Sequence, residues 1–179
     1  MATSIGSHPL LRNAVFGVLA GLFLAGCAPG DPLDGKVVAR DGVSFAMWQS
    51  SMAARLTPSQ VETMDKALQE IKFHIMSVDG VSGHDAVDAA LFEKIDGQPL
   101  RLVLHIGLSW ELERAKAEWT ALDEALIRNG AYADQAQGNL SVDYRRLHQQ
   151  QVDHLHAVAA EMALTRSRLR ATSGQLAGP

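Results

Sequence analysis

Between residues 99 and 129 the apolar side chains Leu104, Leu108, Leu112, Ala115, Trp119, Leu122 and Leu126 recur at spacings of three and four. That alternation places them on one stripe of a helix, and the stripe requires a partner to cover it. A second long segment supplies one. Tyr144, His148, Gln151, Leu155, Val158, Met162, Thr165 and Leu169 keep the same period, with Ser141 as a cap and an end near Thr172. A turn over residues 130–140, marked by Gly130, Gly138 and Asn139, folds the two segments into an antiparallel hairpin. The second stripe is the more polar, so the hairpin is expected to pack on one side only.

The preceding segments are shorter. Phe45, Trp48, Met52 and Leu56 predict a helix over residues 43–55. Thr57-Pro58-Ser59-Gln60 has the form of a capping box with proline at the first helical position. Val61, Met64, Leu68, Ile71, Ile75 and Val78 follow on one face, read as core, before Asp79-Gly80 ends the run. Ser82 is the expected cap of a third helix carrying Val87, Ala90, Leu91 and Ile95, and Pro99 opens the long fourth one after Asp96-Gly97. Gly107 interrupts that fourth helix at up to ~1 kcal/mol relative to alanine, which marks a bend or a close helix approach. Aromatics are only 6% of the chain, and Gly and Pro gather at segment boundaries, a pattern that disfavours a sandwich or barrel. The fold class is therefore all-α: a small helical bundle over residues 43–172, with short helices in 43–98, the long hairpin in 99–172 and a loose tail over 173–179.

Charge and motifs give no activity. The formal net charge is −4, which provides no electrostatic case for nucleic acid. Glu111, Glu113, Glu118, Asp123 and Glu124 on one arm of the hairpin face a set of Arg145, Arg146, Arg166, Arg168 and Arg170 on the other. Some cross-pairing is expected, at about 0–1 kcal/mol for each exposed pair. The seven histidines lack ligand spacing: His154 and His156 are two apart and His148 and His154 six apart, both off a single helical face. Gly107-Leu108-Ser109-Trp110-Glu111 stops one residue short of a nucleophile elbow and lies inside a helix. His84-Asp85 and Asp153-His154 are sequence neighbours, which do not face each other on a helix. No catalytic, metal or cofactor residue is assigned. One enzymatic alternative stays open, a hydrolase or hydrolase inhibitor with a dispersed site formed by His105, Glu111 and the last helix.

The N-terminal segment carries the most specific signal. Arg12 precedes an apolar stretch from Val15 to Ala25, about 17 Å as a helix and well short of a ~30 Å hydrocarbon layer. Leu24-Ala25-Gly26-Cys27 then closes the run and resembles a bacterial lipobox. The resemblance implies that residues 1–26 are a signal peptide removed after Gly26, with Leu24, Ala25 and Gly26 recognised by the peptidase. Cys27, the only cysteine, would then carry diacylglycerol and an N-acyl chain and anchor the protein to a bilayer. Several chains make such anchoring durable, since a single one binds marginally. Ala28 stands where an Asp commonly retains lipoproteins at the inner membrane of Gram-negative bacteria, which implies an outer-membrane location facing the periplasm. Residues 27–42, with Pro29, Gly30, Pro32, Gly35 and Gly42, read as a short tether.

Leu33-Asp34-Gly35, Ser44-Phe45, Ser51-Met52, the Ala67-Leu68 helix and Asp96-Gly97 before a long helix follow an order that resembles small uncharacterised Gram-negative lipoproteins with a domain of unknown function. This chain has Gly97-Gln98-Pro99 where those proteins usually carry a Gly-Lys-Thr-like turn. The resemblance brings no activity or site residues. Taken together, the expectation is a non-enzymatic envelope lipoprotein that binds or scaffolds another envelope component, or that assembles with itself through the long arms.

Overall fold

The computed structural model describes residues 30–135 and 139–173. The protein is all-α. A 3-10 turn at Pro32–Asp34 is followed by α1 (Gly42–Ala53), α2 (Pro58–Ser77), α3 (His84–Ile95), α4 (Leu100–Gln135) and α5 (Asn139–Ser173). Local chemistry sets the starts of α1 and α2. Asp41 caps α1 by accepting a 2.7 Å bond from the Ser44 amide, and that bond holds its carboxyl below the usual range. The capping box of α2 forms as expected, with Thr57 Oγ1 accepting from the Gln60 amide and Gln60 Oε1 from the Thr57 amide, at 3.3 and 2.9 Å. The α3 cap differs from expectation. Gly83, not Ser82, holds that position with a φ of 93°, and no side chain caps the helix. A left-handed turn places Gly83 there without the strain a side chain would meet.

The core lies where α2, α3 and the first half of α4 meet. Met64, Ile71 and Ile75 of α2, Leu91 and Ile95 of α3, and Leu100, Leu104 and Leu108 of α4 are almost fully buried. Each contributes roughly 1.5–3 kcal/mol of burial. Phe45, Trp48 and Met52 close the side formed by α1. Gly107 explains how α2 and α4 come together: a methyl group there would lie 2.3 Å from the Ala67 carbonyl oxygen and 2.7 Å from its Cα. The interior glycine is a crossing point, not a bend.

The expected tether over 27–42 is corrected from residue 31 onward. Leu33, Val37 and Ala39 are 6%, 1% and 1% exposed. Their backbone borrows partners from the loop between α3 and α4. The Val37 amide donates to Gln98 O at 2.8 Å, the Gly97 amide donates to Val37 O at 2.9 Å, and the Leu100 amide donates to Gly35 O at 2.8 Å. Trp48 Nε1 adds a 3.1 Å bond to Lys36 O. A segment rich in Gly and Pro is thus held by bonds to residues some sixty positions away, which satisfies a backbone that burial would otherwise leave unpaired.

The hairpin is longer than expected. Helix α4 passes through Asn129-Gly130 to Gln135, and α5 already begins at Asn139, so Gly130 is helical and Ser141 is not a cap. A mid-helix glycine costs about 1 kcal/mol relative to alanine, a penalty that weakens a helix without ending it. Asn129 Nδ2 reaches Gln151 Oε1 across the hairpin at 3.3 Å. Ser173 is the last described residue of α5, and the expected tail beyond it lies outside the described residues. Among the described residues, no helix is long and apolar enough to cross a membrane.

Candidate functional site

Leu24, Ala25, Gly26 and Cys27 lie outside the described residues. What the fold displays is the region the anchor would lead into. Asp31 and Asp34 both bind Arg101 at the start of α4, Oδ2 of Asp31 to Nη2 at 2.7 Å and Oδ1 of Asp34 to Nε at 2.9 Å. The Arg101 side chain is 4% exposed, and its Nη1 donates to the Thr172 carbonyl at 2.9 Å. One guanidinium therefore clasps the first turn of the domain and the last turn of α5. The Leu33 amide bond to Asp31, and then Arg101, hold the Asp31 carboxyl below its usual range, while burial opposes them. Burial works against the Arg101 charge too, but Asp34 and Asp31 outweigh it and raise its pKa. Sequence patterning missed this clasp. Its one visible signal was a charged residue between Leu100 and Leu102 in an otherwise apolar start to the long helix.

A second polar node joins α2 to the hairpin. Glu111 is fully buried; its Oε1 takes Lys66 Nζ at 2.8 Å and the Thr165 hydroxyl at 2.8 Å. Lys66 also reaches Glu161 at 2.9 Å, and that contact, with burial opposing it, lowers the Glu161 pKa. Glu111 Oε2 is enclosed without a hydrogen-bond partner. Two flanking pairs tighten the same seam: Arg114 to Glu70 at 2.5 Å and Arg168 to Glu62 at 2.5 Å. The expected pairing of α4 acids with α5 arginines is redirected at these positions. Arg168 turns to α2, Glu111 takes a lysine, and Glu118 takes His154 at 3.1 Å.

Beyond this node the hairpin stands by itself. Ala115 is the last buried residue of α4 and Val158 the first of α5 among the described side chains. Along the outer arm Ile127, Tyr132, Val142 and Leu147 are 69%, 63%, 57% and 56% exposed. Two helices alone leave most of their flanks uncovered, so among the described residues this arm carries apolar surface that stays exposed.

His105 and Glu111 each meet the last helix, at Ser173 and Thr165, but they share no described cleft. His105 Nδ1 lies 3.5 Å from Ser173 Oγ, and neither His105 nor Glu111 lines any of the four main clefts. The largest, about 620 Å³, is bordered by Arg40, Asp41, Asp85, Asp88, Glu93 and Asp96. Three of its carboxylates already serve the fold: Asp41 caps α1, Asp88 pairs with Lys72 at 2.6 Å and Asp96 accepts from the Ala39 amide at 2.7 Å. His84 Nε2 lies 3.6 Å from Asp88 Oδ2, one turn along the helix. His74 stacks on Trp110 with centroids 3.8 Å apart. No group of three or more metal-ligating side chains occurs among the described residues. Comparison with models of known protein families, with curated proteins and with solved structures gave no match.

Proposed function

We propose that this protein is a lipid-anchored, periplasm-facing lipoprotein of a Gram-negative outer membrane, with a helical domain that serves as a non-enzymatic binding or scaffolding module. The anchor half of the reading rests on Leu24-Ala25-Gly26-Cys27 at the end of a short apolar run. The binding half is carried by the outer hairpin arm, whose Ile127, Tyr132, Val142 and Leu147 remain exposed while the root of the same hairpin is well packed. Covalent lipid on Cys27 is the only prosthetic group in this reading.

Metabolic labelling with a palmitate analogue tests the anchor. The wild-type chain takes up label and Cys27→Ser does not; equal labelling of both removes the proposal. Crosslinking in membranes followed by co-purification tests the module. Recovery of an envelope partner that is lost in an Ile127→Glu/Leu147→Glu variant supports it, and a chain that crosslinks to nothing at either arm position counts against it.

A further inference from the structure

We propose that the clasped end of the domain is a docking surface for anionic phospholipid headgroups, with Lys36, Arg55, Arg166 and Arg170 as its contacts. Its placement at a membrane rests on the Cys27 anchor.

Three observations lead there. Three residues separate Cys27 from Asp31, four chain steps that span at most about 14 Å when fully extended. Asp31 is fixed to Arg101 at 2.7 Å, and Arg101 is fixed to the Thr172 carbonyl, so an anchor at Cys27 brings this end of the hairpin, and no other, to the lipid. The clasp thereby selects the face.

The charge at that end is the second observation. Its acids are paired, Glu62 with Arg168 and both Asp31 and Asp34 with the single Arg101, which leaves one negative charge at the clasp for the four cations to exceed. Lys36, Arg55, Arg166 and Arg170 are exposed and make no ion pair among the described residues. Each belongs to this end: Lys36 bridges to Pro99 beside the start of α4, Arg55 precedes the Thr57 cap of α2, and Arg166 and Arg170 lie within the last two turns of α5. The start of α2 and the end of α5 share one cleft, where Ser59 and Gln60 face Ser167 and Ala171. Among the described residues Arg40, Lys116 and Arg146 are also exposed without an ion pair, but they lie on separate elements, whereas four such cations share this end.

The third observation is the distribution of acid elsewhere. Asp41, Asp85, Asp88, Glu93 and Asp96 gather around the cleft beside α3, not around the clasp. Cations near an anionic surface each add attraction that fades within a Debye length, and a lipid anchor supplies that proximity.

Flotation of the full chain with phosphatidylcholine vesicles, with and without phosphatidylglycerol, tests the surface. Any affinity of the apolar segment 15–25 enters both vesicle types and cancels in the comparison. Phosphatidylglycerol is expected to raise partitioning of the wild-type chain, and Arg166→Glu/Arg170→Glu to lower that gain by about tenfold or more, as does high salt. An equal gain in wild type and variant, or no gain in the wild type, overturns the proposal. Lys36→Glu/Arg55→Glu provides a second variant on different elements, and the helical circular dichroism of each variant verifies its fold. Failure of Cys27 labelling would remove the anchor while leaving the vesicle result to stand or fall by itself.

Discussion

Gly107 and Ala67 touch through their backbones: a single added methyl group on Gly107 would sit 2.3 Å from the Ala67 carbonyl oxygen. Helix propensity alone favours alanine at this position by up to about 1 kcal/mol. Contact with rigid backbone reverses the sign, because neither partner has a flexible end that can give way. Gly107→Ala is expected to destabilise the domain by about 1–3 kcal/mol or more. A urea melt of the variant beside wild type measures this, and an unchanged or raised midpoint refutes the crossing-point role.

Lys66 and Glu111 form a pair in which one partner is fully buried and the other keeps a 28% exposed side chain. Lys66→Met leaves the Glu111 carboxylate enclosed without its cation, at an expected cost of about 3–5 kcal/mol. Replacing both with Met removes the orphan and recovers part of that loss. A double-mutant cycle by chemical denaturation reads the coupling, and additive single and double effects would deny it.

Acid should loosen the two ends of the hairpin root together. The folded-state pKa values of Asp31 and Glu161 are both lowered. Their contribution is present above the unfolded carboxylate values, about 3.9 and 4.3, and is lost as pH falls through the lowered folded values. Lys66 has the opposite sign: burial opposes its charge, Glu111 and Glu161 outweigh burial, and its raised pKa gives stability that is lost only as pH rises through that raised value. Stability measured against pH should therefore hold through neutrality and decline below about pH 4. In Asp31→Asn/Glu161→Gln that decline should be shallower.

Arg101→Met should free the segment that precedes α1. Its partners Asp31 and Asp34 lose their cation and the Thr172 carbonyl its donor. Hydrogen exchange at Val37 and Leu100, whose amides donate within this region, is expected to speed up while amides in the middle of α2 keep their protection. Uniform acceleration across the domain would show that the clasp stabilises everything equally.

Local signals made much of this fold readable. Thr57, Pro58 and Gln60 predict the start of α2 because a capping box is made within four residues, and the stripe from Val61 to Val78 identifies its buried face as far as Ile75, Val78 past the helix end being 66% exposed. The hairpin was legible from two matched periods. Its outer boundary was not, since Gly130 can be carried inside a helix with open space around it. The segment 31–39 read as a tether because its apolar residues are few and its bonds reach Gln98, Leu100 and Arg101, far beyond any local window. The polar nodes were invisible for the same reason. By sequence Glu111 is one of several acids set to face the arginines of the last helix, and only packing against Lys66 and Thr165 distinguishes it from Glu113.

The Arg101 clasp also closes a ring. Asp31 and the Thr172 carbonyl bind the same guanidinium, so the two ends of the described chain meet at one point. The order of the helices along the chain is then separable from their arrangement in space. A short linker joining Ser173 to Gly30, with new termini opened between Gln135 and Asn139, would preserve every buried contact of α1, α2, α3 and the hairpin root. In that circular permutant the chain would begin and end at the far tip of the arm, about 50 Å along the helix axis from the Arg101 clasp.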